Sequence, residues 1–434
     1  MNRPPDHPRR AELNDEVHAR PPEPIAAPAR ISYLATISDP ARRAADIEAL
    51  ASLAGRLGAA IPPREANHYS ADLGSFRLKW ERHTEFTRYM FMVGGTGPDP
   101  FQEPALAFVP REVVAGLPGQ VIAASHVAIR PASEEELDPD AVADRWFGGA
   151  ALIGSAVGGE AATAYTDFRI QPDGFTRFLI QDRHLAPRQA GRLIQRLLEI
   201  DTYKTLALLA LPVARDLVPF LKQAESDLAA ITNRLADGTS QEEAVLLERL
   251  TRLEAEIESR GAENLFRFGA SAAYYRLVGQ RIRELRETRI EGLQTFGEFV
   301  ERRLAPAMST CDAASTRQAD LSGRIARANQ LLSTRVEVAR SRQTNEVLHS
   351  MNRRAQLQLR LQETVEGLSV AAITYYVIGL LGYLFKGLKP LGLDVNPEIA
   401  MAVSIPIVLV LAALGIRYIR HTVQRQSQAA ERGG

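Results

Sequence analysis

Two uncharged apolar runs near the C-terminal end constrain this 434-residue chain more than any other feature. The first, Gly367 to Phe385, reads GLSVAAITYYVIGLLGYLF and is nineteen residues long; the second, Ile399 to Ile416, reads IAMAVSIPIVLVLAALGI and is eighteen. An α-helix rises 1.5 Å per residue, so each run would cover roughly 27–29 Å, close to the hydrocarbon thickness of a bilayer. The thirteen residues Lys386 to Glu398 join them. The pattern predicts a two-helix transmembrane hairpin, with the lipid bilayer as an obligatory partner.

Orientation follows the Lys and Arg count on each side. Arg353, Arg354 and Arg360 precede the first run, and Arg417, Arg420 and Arg425 follow the second. The connecting loop holds Lys386 and Lys389 beside Asp394 and Glu398. This bias places both termini in the cytoplasm. The first residues, MNRPPDHPRRAELNDEVHARPPEP, have no apolar stretch after their basic residues and so do not read as a secretory signal.

The 52 basic and 52 acidic residues cancel, which argues against a nucleic-acid partner, since such proteins carry a basic excess or stripe. Cys311 is the only cysteine, so neither an intrachain disulfide nor a multi-cysteine metal site is possible. No cofactor motif is present.

Along the chain, residues 1–30 read as an extended polar arm. Residues 31–186 alternate between strand-like and helix-like patterns and predict an α+β (α/β) domain. RISYLATIS is a strand. Pro40 to Leu57 is a helix with Ile47, Leu50, Leu53 and Leu57 on one stripe. FRLKWERHTEFTRYMFMV alternates as a strand pair or one bent strand. Ala105–Val109 and Val121–Ile129 read as short strands, Pro139–Trp146 as a short helix, and Ala162–Ile170 with Phe175–Gln181 as a hairpin around PDG. Residues 187–366 read as helical arms and a long stalk. Pro212 and Pro219 punctuate it, Ser240 with Glu243 forms a capping box, and Gly261 ends that helix. A further helix runs from Phe266 to Leu304, and a last one starts between Ser315 and Asp320. On that last helix Ile325, Ala328, Leu332, Val336, Ala339 and Val347 make a thin apolar stripe, which predicts helix–helix packing with this chain or with copies of it. Residues 417–434 form a cytoplasmic tail.

Three groups of residues are candidates for chemistry. On a strand, Glu81, His83 and Glu85 would share one face and could ligate a metal; the competing reading is a salt-bridged sheet face. In the arm, His7, Arg10, Glu16, His18 and Arg20 crowd together and are expected to dock it on the domain surface. In the apolar runs and their loop, Thr374, Tyr375 and Tyr383, with Asp394, Asn396 and Glu398, would line a pore and its outer mouth if several copies formed a ring. GGTG at Gly94–Gly97 lacks the Lys-Ser/Thr of a P-loop, and the glycine-rich WFGGAALIGSAVGGE lacks GxGxxG. No HExxH or GxSxG occurs, and the chain does not read as an enzyme.

The segments HPRRAELNDEVHARPPE, LKWERHTEFTRYMF, WFGG and LQETVEGLSVAAITYYVIGLLGYL together resemble a bacterial family of uncharacterised proteins predicted to be membrane-anchored; the HARP segment is the most distinctive part. This resemblance implies the bacterial inner membrane and no defined activity. In layout the chain is also similar to CorA-type divalent-cation channels, pentamers whose first span lines the pore. Their Gly-Met-Asn signature is absent: the matching stretch is Gly382-Tyr-Leu-Phe-Lys-Gly387, with Lys386 at the mouth. The expectation is a membrane-anchored, non-enzymatic homo-oligomer whose cytosolic domain binds a partner or ligand. A CorA-like channel of altered selectivity is the alternative, and a metal-dependent enzyme using Glu81, His83 and Glu85 the third reading.

Overall fold

A computed structural model describes residues 3–18, 20–37, 43–132, 138–237, 240–388 and 396–431. Contacts divide the chain into two units: Met1–Gly238 with Val245–Gln330, and Thr239–Ala244 with Leu331–Gly434.

The first unit is built on a mixed sheet of nine strands. In chain order its elements begin with α1 (Arg10–His18), β1 (Ala29–Ile37), α2 (Arg43–Arg56), β2 (His68–Asp72), β3 (Arg77–Arg82) and β4 (Phe86–Gly94). They continue with α3 (Arg111–Ala115), β5 (Gln120–Pro131), α4 (Pro139–Trp146), β6 (Ile153–Val157), β7 (Ala162–Thr166) and β8 (Thr176–Asp182). Helices α5 (Pro187–Leu208), α6 (Ala210–Asp237) and α7 (Ser240–Leu285), strand β9 (Thr288–Arg289) and α8 (Phe296–Arg303) follow. The sheet order is β2-β3-β4-β1-β5-β8-β7-β6-β9, antiparallel except where β5 runs parallel to β8.

The two faces of the β3–β4 hairpin differ sharply. In β4 the side chains alternate, so Tyr89 and Phe91 join Leu78 and Trp80 of β3 on one face. There they pack with Ile47, Leu50 and Leu53 of α2 in a hydrophobic core. The other face carries Lys79, Glu81 and Arg88. A second core gathers Trp146, Phe147, Leu152, Tyr165 and Leu179 at the far half of the sheet.

Several elements depart from expectation. The arm is not extended throughout: it contains α1, whose described side chains are exposed. Ala105–Phe108 is a 3-10 turn rather than a strand. The glycine-rich stretch contains β6, a strand of small residues in which a Cβ on Gly154 would sit 2.9 Å from Tyr165. Pro212 does not separate the helical arms: α6 starts at Ala210 and carries both Pro212 and Pro219. Gly261 lies inside α7, which continues to Leu285, where Arg286 takes a left-handed φ of 49°. The final long helix, α9, begins at Ala305, ten residues earlier than Ser315, and runs to Leu388.

The second unit contains most of α9 and all of α10 (Pro397–Glu431), a C-terminal apolar helix that carries Pro406 within it. Asn396 opens α10 by accepting a bond from the Glu398 amide at 3.1 Å, with Pro397 at the first helical position. The two helices meet where a Cβ on Gly382 would lie 2.6 Å from Met401 Sδ.

Candidate functional site

The densest collection of ionisable groups lies on the polar face of the β3–β4 hairpin, under α5 and α7. Register sets it out: Glu81 on β3 stands opposite Arg88 on β4. Arg88 is buried between two carboxylates, pairing with Glu81 and with Glu199 of α5 at 3.0 Å. Glu81 also receives Lys79 at 3.1 Å. Glu199 is held further by Arg281 of α7 and by Gln195, one turn earlier, at 2.8 Å. Arg196 and Arg281 converge on Glu284, each at 3.0 Å. One continuous network therefore ties two strands to two helices.

Burial would raise Glu81 and Glu199, but Arg88 together with Lys79 for the one and with Arg281 and Gln195 for the other more than offsets it, and both carboxyls stay below the ordinary range. Burial would likewise lower Arg88, yet its two carboxylates push it further up. Lys79 moves down because desolvation exceeds the pull of Glu81. All four groups are paired with one another.

Beside the network, His83 follows the end of β3 and stacks on Phe86, ring centroids 4.4 Å apart. Burial, reinforced by Arg88, depresses it to about 3, so it is a neutral imidazole. Glu85 pairs with Arg267 of α7. Tyr203 stacks on Tyr274 at 5.6 Å, and burial pushes its phenol up to about 12. Arg20 Nε, His83 Nε2, Gln195 Oε1, Arg267 Nη1 and Ser271 Oγ are buried without hydrogen-bond partners. Glu81, Arg88 and Glu199 at the centre of the cluster are almost wholly buried, while Arg20, Arg267 and Arg281 at its rim keep 22–23 % of their side chains exposed.

Of the three candidate metal ligands only Glu81 lies on β3, which ends at Arg82; Glu81 pairs with Lys79 and Arg88, Glu85 with Arg267, and His83 stacks on Phe86. Among the described residues no group of three His, Cys, Asp or Glu side chains is placed to hold a metal ion.

Of the arm residues singled out from sequence, Arg20 has its Nε buried and its charge close enough to act on His83, and the described contacts of the others stay within the arm. Arg10 pairs with Asp6 at 2.5 Å and Glu16 with Arg20 at 2.7 Å, both within the arm, and His7 Nδ1 accepts from the Arg9 amide. The side chain of His18 lies outside the described residues. The docking segment is Pro21–Ile25. Lys79 donates to the Pro21 carbonyl at 2.6 Å, Arg77 binds Glu23 at 2.8 Å, and the Ile25 amide donates to the Pro187 carbonyl. Gly191 of α5 makes room for it: a Cβ there would fall 1.7 Å from the Glu23 carbonyl oxygen.

Two more polar groups sit near α5. Asp201 accepts from Ser125 at 2.8 Å and from Thr176 at 2.9 Å, and pairs with Lys204. On the opposite face Ser32 Oγ hydrogen-bonds His126 Nδ1 at 3.0 Å and accepts from the Leu106 amide. Burial depresses His126 to about 4. Ser32 is fully buried. An apolar cavity of about 240 Å³ lies between α2, α3 and the sheet, lined by Leu50, Leu53, Leu78, Tyr89 and Phe91, with Asp46 at its wall. Asp46 accepts from Thr87 at 3.0 Å and Tyr89 at 3.4 Å.

In the C-terminal helices, Thr374 is buried and its hydroxyl donates to its own Val370 carbonyl. Tyr375 and Tyr383 are exposed. Asn396 caps α10, Glu398 is exposed in its first turn, and Asp394 lies outside the described residues.

Arg88, Glu199, Arg281 and Asp201 were not singled out from sequence. Their signal is a charge inside an apolar pattern: Arg88 within FTRYMFMV, and Glu199 and Asp201 within RLLEIDTY.

Fold and site together define a mixed α/β domain with a buried ionic core, on a chain that continues into a long helix and a C-terminal apolar helix. The chain belongs to the DUF3422 family of proteins of unknown function, whose sequence pattern matches residues 5–423. Nothing among curated proteins matches it.

Proposed function

We propose that this is a membrane-anchored binding protein of the bacterial inner membrane. In this reading the C-terminal part of α9 and the apolar part of α10 cross the bilayer as a hairpin, and both ends of the chain face the cytoplasm. One observation carries it. Both helices are long and apolar enough to cross a membrane, yet side chains such as Leu368, Leu380, Ile399 and Leu411 stand largely exposed on them. Water-soluble monomers rarely expose contiguous apolar patches beyond a few hundred Å². Arg353, Arg354 and Arg360 before the first span, and Arg417 after the second, support the orientation.

The α/β domain suits holding rather than turnover. Its most strongly shifted groups are spent on pairing or on burial, which supports a non-enzymatic role. The cavity beside α2 is a place where a small apolar molecule would fit. Copies confined to one bilayer meet at high effective concentration, which favours a homo-oligomer.

Flotation of the full-length protein with lipid vesicles tests the anchor. Co-flotation that resists alkaline carbonate is expected; recovery at the bottom of the gradient would refute it. The CorA-type layout offers the competing reading of an ion-conducting oligomer. Ion flux in liposomes that stops when Thr374 or Tyr383 is made bulky would replace our reading with that one.

A further inference from the structure

The apolar stripe of α9 keeps one phase over a long distance. Leu332, Val336, Val347, Leu361, Val365 and Tyr376 follow one another at spacings of 4, 11, 14, 4 and 11 residues. Eleven residues make three turns at 3.67 residues per turn, so these positions line a nearly straight seam. The seam begins covered and then opens within the second unit. Leu332 is 1 % exposed and Val336 is half-buried, whereas Val347 is 52 %, Leu361 66 % and Tyr376 71 % exposed. From Arg340 to Val365 every side chain is exposed, so this part of α9 has no partner among the described residues.

We infer that this seam is where a second copy of the chain packs, α9 against α9, parallel and in register. The inference rests on the membrane-anchored reading for its orientation: two copies entering one bilayer in the same direction present equal residues at equal depth. Three observations select a second copy as the occupant. The start of the same seam is already covered by protein, so the pattern is one that helices in this molecule bury. Arg340, Gln343, Ser350, Arg354 and Gln358 interrupt it, and in a parallel pair Gln343 and Gln358 would each face its own counterpart, an arrangement that fixes register at some cost in stability. Tyr376 lies at the middle of the Gly367–Phe385 run, where lipid offers its hydroxyl no hydrogen bond and a neighbouring helix does. Three residues on, Gly379 has open space around it and lets a second backbone approach. Arg354, also on the seam, has a stem long enough to turn its guanidinium out to water.

Disulfide trapping in isolated membranes tests the pairing. The full-length protein first receives Cys311→Ala, which removes its only thiol. Single cysteines are then placed on the seam, Val347→Cys and Leu361→Cys, and on the opposite face of the helix, Asn345→Cys and Gln356→Cys. Oxidation is expected to yield several-fold more linked dimer from the seam pair than from the opposite pair. Equal yields on both faces, or none on the seam, would overturn the inference. Carbonate extraction of the same membranes reports separately on the anchor: protein that stays embedded without seam dimers defeats the pairing alone, and protein that washes off defeats the anchor.

Discussion

The α/β domain and the C-terminal helices break the usual inside–outside rule in opposite ways. The domain buries charge: Arg88, Glu81 and Glu199 are almost wholly removed from solvent. The C-terminal helices expose oil: Leu368, Tyr383 and Leu411 stand largely free. A buried charge or a large exposed apolar surface is the informative exception in a protein. Each exception here has its own resolution. The buried charges resolve each other inside one chain, by pairing through Arg88. Among the described residues the exposed apolar helices find no such cover.

The comparison can be broken most forcefully with acid. A histidine whose folded pKa lies below its unfolded value near 6.5 stabilises the fold fully above pH 6.5, and that contribution is lost as pH falls toward the folded value. His83, at about 3, and His126, at about 4, both lie on that side. Unfolding of the domain should therefore take up about two protons between pH 6.5 and 4, a loss on the order of 5 kcal/mol. Glu81 and Glu199 add to it below their unfolded values. Urea titrations across this range check the slope; His83→Gln and His126→Gln should each remove about one proton. A flat stability from pH 6.5 to 4 would mean that these imidazoles are not sealed.

Arg88→Met comes next. It strands Glu81 and Glu199 without their shared cation, and breaking a buried pair in this way costs about 3–5 kcal/mol. Denaturation of the variant measures it, and a loss below about 1 kcal/mol would show that water already reaches the site. Gly191→Ala should cost about 1–3 kcal/mol by overpacking, because its new methyl displaces the Glu23 backbone. Faster proteolysis within Pro21–Ile25 should accompany it, and unchanged cleavage would show that the arm is not held there. The smallest effect is expected in the other region: Leu361→Ser, on a fully exposed turn of α9, should leave the unfolding of the α/β domain within about 0.5 kcal/mol of the parent.

Much of this contrast was legible in the residue order, and for different reasons in the two regions. The apolar runs needed only length and the absence of charge. Strands β1, β4 and β5, helix α4 and the β7–β8 hairpin followed from alternation and turn residues. Strand β6 was hidden because Ile-Gly-Ser-Ala-Val carries little bulk, and its glycine answers to Tyr165 and Leu293 from other segments. Helix α7 ran past Gly261 because its neighbours hold it: Gln318 of α9 lies against that glycine and donates to the Ile257 carbonyl. The ionic core was the least legible. Glu81 stood out as a possible metal ligand, but its partners Arg88 and Glu199 are 7 and 118 residues away in sequence, and only the β3–β4 register and the docking of α5 bring them together.

Hydrogen exchange on the full-length protein in lipid nanodiscs tests the contrast most directly, with the exposed helix α1 as the internal reference. The account predicts that amides of 370–384 and 399–416 exchange far more slowly than those of α1, although the side chains of both are exposed to whatever surrounds the protein. Exchange in those two segments as fast as in α1 would show that water, and not lipid, surrounds them.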